Sequence, residues 1–118
     1  MKNLKKTFFL LIILKTNAIF ALADTISPKD LQEFYSDSAT KKEVLLYFRG
    51  AGDGILWANT LNEEEQICLP PDQAFYSEDY YSIYKTEYLR QKDLYDSLEY
   101  QPPGLLLFNG FIHNFPCE

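Results

Sequence analysis

The residues whose types and spacing suit chemistry are few. Arg49-Gly50-Ala51-Gly52-Asp53-Gly54 sets three glycines within five positions, the density of a loop that cradles a phosphate or a cation. A phosphate loop needs Lys-Ser/Thr after its last glycine, or a Gly-x-Gly-x-x-Gly turn behind a strand, so that backbone N–H groups and a cation converge on the anion. A calcium loop needs acids at alternating positions and a distal glutamate. Here the glycines run directly into Ile55-Leu56-Trp57, and Asp53 is the one acid among them. His113 is the single histidine, and acid–base catalysis would need an aligned partner for it that no motif supplies. Glu63-Glu64-Glu65 places three acids side by side, the pattern of a solvated, self-repelling surface rather than of a catalytic pair. These residues predict a protein that is not an enzyme and has no cofactor and no metal site.

The remaining reactive groups are Cys68 and Cys117, and the start of the chain bears on their state. "MKNLKKTFFLLIILKTNAIFALAD" carries lysines at 2, 5 and 6, an apolar run from Phe8 to Leu14 and an Ala21-Leu22-Ala23 ending. That is the layout of a secretory signal peptide, residues 1–23, cleaved after Ala23. Lys15, Thr16 and Asn17 interrupt the run short of the ~20 apolar residues that a membrane anchor needs. In an exported chain, two cysteines read as a disulfide, and a loop of this length is stabilised by roughly 4 kcal/mol in chain-entropy terms. A metal would need more ligands than two distant thiols and one histidine.

Cleavage leaves 95 of the 118 residues, 24–118, as a single domain. All seventeen acids remain with seven of the eleven basic residues, a net charge of −10. So acidic a chain is poorly suited to nucleic acid, whose binding rests on neutralising phosphates, and better suited to a basic protein partner. No contact with membrane is expected once the leader is gone.

The elements that must position these residues all read as helices. Ser27-Pro28-Lys29-Asp30 combines an N-cap serine, a proline at the first helical position and an acid answering the cap, with Leu31, Phe34 and Tyr35 on the apolar side. Thr40 and Glu43 suggest a second cap. Behind them Val44, Phe48, Ala51, Ile55 and Ala58 recur at three and four, which predicts a central helix from Lys41 to about Thr60 that passes straight through the glycines. Each glycine costs about 1 kcal/mol relative to alanine in a helix. Gly50 and Gly54, four apart, are therefore expected to admit a neighbouring helix close to the backbone, with Trp57 in the core.

Acids and then Pro70-Pro71 break this helix. A third helix is expected from about Ser77, with Tyr80, Ile83, Tyr84 and Tyr88 on one side and Arg90 and Lys92 at the C-terminal end of the dipole. Pro102-Pro103 opens a last helix with Leu105, Phe108, Ile112 and Phe115 as its buried stripe. No segment alternates with period two. The fold class is all-α, a small bundle of four to five helices with one disulfide. Six of the nine tyrosines fall between 76 and 95. Tyrosine joins apolar area to a polar tip and is enriched at interfaces, so this helix has either a tyrosine-rich core or a tyrosine-lined binding face.

Tyr47-x-x-Gly50-x-x-Asp53-Gly54, then Ile67-Cys68-Leu69-Pro70-Pro71, Tyr88-Leu89 and the terminal Phe115-Pro116-Cys117 occur in an order that resembles the Tai type of immunity protein. These are small exported helical proteins that protect bacteria from the amidase effectors of type VI secretion. The resemblance covers about Leu31 to Cys117. It implies a periplasmic protein that binds and inhibits a cognate peptidoglycan amidase effector, a Cys68–Cys117 disulfide, and structural roles for Tyr47, Gly50, Asp53, Gly54, Pro70, Phe115 and Pro116. Family members often carry a second cysteine pair; here its places hold Phe34 or Tyr35, and Val44, so packing alone must hold the first helix. The inhibitory surface is expected on Asn62, Glu63, Glu64 and Glu65 together with Tyr80, Tyr81 and Tyr84, with a homodimer left open. The alternative function is a small periplasmic acid-stress chaperone that binds many clients when acidified.

Overall fold

The computed structural model describes residues 26–94 and 98–118; the expected signal peptide lies outside them. Four α-helices follow in order: α1 (Pro28–Ser36), α2 (Lys41–Leu61), α3 (Ser77–Lys92) and α4 (Pro103–Asn114), with a 3-10 turn at Leu98–Tyr100 before the last. Among the described residues there is no strand, only an isolated antiparallel bridge between Ile67 and Pro116. The fold is a small all-α bundle with one disulfide, Cys68–Cys117.

The helix starts follow local chemistry. Ser27 Oγ accepts from Asp30 N at 3.1 Å while Ser27 N donates to Asp30 Oδ2 at 3.0 Å, so two otherwise orphaned N–H groups are satisfied reciprocally. Pro103 opens α4 as expected. Thr40 occupies the N-cap of α2 as expected, but its side chain does not cap the helix: its hydroxyl donates instead to Phe34 O at 2.7 Å, tying α2 back to the end of α1. At α3 it is Asp79 that closes the start, its Oδ2 accepting from Tyr76 N at 2.7 Å.

α2 is the central element, and the phase of its buried face differs from the expected one. Val44, Phe48, Gly52 and Asn59 are buried, Ala51 and Ile55 are half-buried, and Ala58 and Trp57 are exposed. The glycine that receives another helix is therefore Gly52, not the Gly50 and Gly54 pair. A Cβ added to Gly52 would lie 2.3 Å from Tyr80 Cδ1, whereas one added at Gly50 or Gly54 meets nothing within 4 Å. The four-residue spacing does put Gly50 and Gly54 on one face, but that face is the outer one. α4 also differs by about one position. Leu106, Leu107, Gly110 and Phe111 are buried while Leu105 is exposed, because Gly110 is the residue that lets α3 approach, its missing Cβ leaving room for Ile83 O at 3.0 Å.

The core is aromatic. Phe48 packs against Tyr84 (ring centroids 4.6 Å) and Tyr81 (5.5 Å), and Phe75 meets Phe111 edge-on at 5.6 Å. α1 is held by packing: Leu31 is buried and Tyr35 stacks on Tyr81 at 3.7 Å, with Lys41 Nζ 4.6 Å above the Tyr35 ring.

Gly52→Ala must displace the Tyr80 ring, which is itself enclosed, and is expected to cost about 2–3 kcal/mol as an overpacking change. Urea denaturation measures it; a cost under about 0.5 kcal/mol would contradict the close approach. Tyr84→Phe is expected to be neutral or stabilising by up to about 1 kcal/mol in the same measurement, since the Tyr84 hydroxyl is buried without a partner and its removal relieves a desolvation cost.

Candidate functional site

The motif residues separate into a structural group and an outward-facing one. Asp53 is a junction: Tyr80 Oη donates to its Oδ1 at 2.6 Å and Arg49 Nε to its Oδ2 at 2.7 Å. The Tyr80 hydroxyl and then Arg49 hold this carboxyl below its ordinary value. Tyr47 lies half across the surface with its hydroxyl near Gly104 and its ring edge-on to Phe48 at 5.1 Å. Phe115 is half-buried against Phe75 and Phe111, and Pro116 pairs with Ile67, whose neighbour Cys68 donates its N–H to Phe115 O at 2.9 Å. Pro70 is exposed in the loop, as Gly50 and Gly54 are on the helix.

The expected tyrosine surface does not form. Tyr80, Tyr81 and Tyr84 are 2%, 4% and 0% exposed, and they belong to the core just described rather than to a partner. Burial is the main reason that the Tyr80 and Tyr84 hydroxyls are pushed far above the ordinary tyrosine value. The physical reason for the correction is that α3 is covered on two sides, by α2 at Gly52 and by α4 at Gly110, so it buries a wider arc than a helix packed against one neighbour.

Of the acidic half of the expected surface, Asn62, Glu63, Glu64 and Glu65 are all exposed. Its apolar companions are different residues. Trp57 and Leu61, 71% and 79% exposed, sit four apart on the last turns of α2, so they share a face and lead directly into the acids. A helical projection of Lys41–Leu61 contains this signal, because both lie opposite Phe48 and Asn59. The far end of the loop is held by Asn59. Its Oδ1 accepts from Gln66 N at 2.9 Å and Ile67 N at 3.0 Å, and its Nδ2 donates to Ile67 O at 2.7 Å. With the disulfide one residue on, the four exposed residues 62–65 are presented between two fixed points. The arrangement can dock a protein: an indole and a leucine for contact area, and a carboxylate cluster beside them for a basic rim.

A second feature is a cleft of about 560 Å³ between α3 and α4, lined by Glu87, Arg90, Gln91, Gln101, Asn109 and His113 together with the apolar Leu94, Leu105 and Ile112. Glu87 is 1% exposed, a buried carboxylate for which the tyrosine periodicity offered no signal. Arg90 grips it through Nη2 at 2.6 Å and Nε at 2.9 Å, and Gln91 Nε2 donates to Oε1 as well. Both oxygens are thus committed to α3 itself, and His113, exposed on the cleft edge, has no hydrogen bond to Glu87. Among the described residues no cluster of three or more histidines, cysteines or acids is disposed to hold a metal, and no helix is long and apolar enough to cross a membrane.

Arg90 first, and Gln91 with it, keep the Glu87 carboxyl below its ordinary value of 4.5. A depressed folded value contributes stability that is full above the unfolded value and lost as pH falls through the folded one. Glu87→Gln is therefore expected to cost about 2 kcal/mol at pH 7, in the range of charge-assisted hydrogen bonds. That cost should shrink steadily below about pH 4.5, and thermal melting of both proteins from pH 7 to 3 measures it; a constant difference would show that the charge contributes nothing.

Compared with protein-family models, curated proteins and solved structures, the chain matches none of them.

Proposed function

We propose that this protein is a periplasmic immunity protein that binds and inhibits a peptidoglycan amidase effector of type VI secretion. The observation that carries the reading is the exposure of Trp57 and Leu61 beside Asn62 to Glu65, on a loop anchored by Asn59 and the disulfide. A large aromatic side chain left in water on the outer face of α2 has no role in the core formed by the described residues. Next to unpaired acids it has the composition of an interface hot spot within a charged rim. The Cys68–Cys117 bond is compatible with an oxidising compartment. The motif series Tyr47, Gly50, Asp53, Gly54 and Phe115-Pro116-Cys117 supplies the family resemblance on which the identity of the toxin class rests.

In this reading the toxin's catalytic cleft is blocked sterically, so the immunity protein needs no chemistry of its own. The indole and Leu61 supply the contact that limits dissociation, and the carboxylates supply long-range attraction to a basic surface. The acid-stress chaperone alternative differs in requiring binding to many unfolded clients at low pH and none to a folded toxin at pH 7.

Candidate amidases directed to the periplasm, with and without this protein, provide the test. Neutralisation of one toxin and a stable complex at pH 7 are expected; failure with every amidase, together with client binding at low pH, would overturn the proposal. Trp57→Ala with Leu61→Ala is expected to weaken the complex by roughly 100-fold or more, as hot-spot truncations do. Replacing Glu63, Glu64 and Glu65 with glutamine should mainly slow association, by about tenfold at low salt, with little change in dissociation. Surface plasmon resonance separates the two effects.

A further inference from the structure

The outer side of α2 carries more than Trp57 and Leu61. Leu46, Gly50, Gly54, Trp57 and Leu61 follow one another at steps of four, four, three and four, which is a single stripe along a helix. All five are exposed, Leu46 at 62%. The stripe covers 16 residues from Leu46 to Leu61, about 22 Å of helix between its ends. Its middle is bare, because a Cβ at Gly50 or Gly54 would meet nothing within 4 Å. Large apolar side chains therefore rise at both ends of a notch. Among the described residues nothing fills it, and no packing between them offsets the helix propensity lost at the two glycines.

Charge indicates the occupant. Acids stand at both ends of the stripe, Glu43 before Leu46 and Glu63 to Glu65 after Leu61, all exposed. Of the three basic residues of α2, Lys41 lies over the Tyr35 ring and Arg49 is paired with Asp53 at 2.7 Å, leaving Lys42 on one flank. A second copy laid parallel on the stripe would bring acids against acids at both ends, and one laid antiparallel would set Glu43, with Lys42 alone to offset it, against the three acids Glu63 to Glu65. A helix with an apolar face and basic ends matches it.

We infer that the outer face of α2, from Leu46 to Leu61, is the docking groove for a basic amphipathic helix of the partner protein, which settles into the Gly50 and Gly54 notch between Leu46 and Trp57. This rests on the partner-binding reading above and specifies its geometry. The two glycines are kept bare for close approach of a backbone from outside, while Gly52 between them serves the approach of α3 from inside.

The test separates folding from docking by filling the notch. Gly50→Leu with Gly54→Leu extends side chains into open space, so the melting temperature of the secreted chain is expected to stay level or rise by about 4 °C or more, as replacing helical glycines should. A labelled helical peptide of about 18 residues, with a leucine face, a central alanine pair and lysines at both ends, is the probe for the surface itself. Binding by fluorescence anisotropy is expected to weaken at least about tenfold in the double variant and to fall with added salt. Unchanged peptide binding, or none to the wild type, would overturn the inference. So would a wild-type dimer in analytical ultracentrifugation that the double variant disperses, since the groove would then be filled by a second copy. If a toxin is neutralised by the wild type, loss of neutralisation in the double variant supports the groove, and retention overturns it while leaving the immunity reading intact. If no toxin is neutralised, the immunity reading falls and the peptide measurement still decides the groove.

Discussion

The bundle depends on the place where Tyr80 lies flat on the bare backbone of Gly52. No other residue type at 52 would leave room for the ring, since even a Cβ would sit 2.3 Å from it. The contact fixes how near α3 comes to α2, and the Tyr80 hydroxyl fixes the rotation by donating to Asp53 on the next residue. From that spacing the rest of the core follows. Tyr81 and Tyr84 are carried onto Phe48, Tyr81 reaches Tyr35 on α1, and Tyr80 meets Phe75 and Phe111. Four elements are thus joined by one helix of tyrosines, which is why so many aromatic rings are needed in so short a chain and why none of Tyr80, Tyr81 or Tyr84 is left for a partner.

The same packing determines what is left outside. A helix that turns Phe48, Gly52 and Asn59 inward must turn Leu46, Gly50, Gly54, Trp57 and Leu61 outward, because the two sets are half a turn apart. Asn59 has the pivotal position at the end of α2. Its amide takes the backbone of Gln66 and Ile67, and the disulfide then clamps the neighbouring residue to the end of the chain. The acids between Leu61 and Gln66 are therefore held apart from the core at fixed ends, with no basic side chain paired to them among the described residues.

The buried polar groups fall into two kinds. Glu87 is satisfied on both oxygens by Arg90 and Gln91, so its burial beside Gly110 costs little beyond the ordering of those side chains. The Tyr84 hydroxyl is not satisfied, and it persists because the ring beneath it fills the centre of the core. Aromatic area is worth more at that point than one hydroxyl costs.

What could be read from the residues alone was what depends on neighbours within a few positions. The Ser27 and Asp30 cap, the proline that opens α4, the helix running through Arg49 to Gly54, the exposure of Glu63 to Glu65 and the Cys68–Cys117 bond all rest on local geometry or on simple pairing. Phase was a different matter. Gly50 and Gly54 share a face, but spacing does not say which face is inside, and the true contact uses Gly52, which has no glycine partner at four. Tyr80, Tyr81 and Tyr84 were ambiguous because tyrosine suits a core and an interface equally. Trp57, expected in the core, faces outward. The tertiary structure decided all three at once, for a single physical reason: a helix buries the arc that its neighbours cover, and where α3 and α4 lie is set by contacts between residues far apart in the chain.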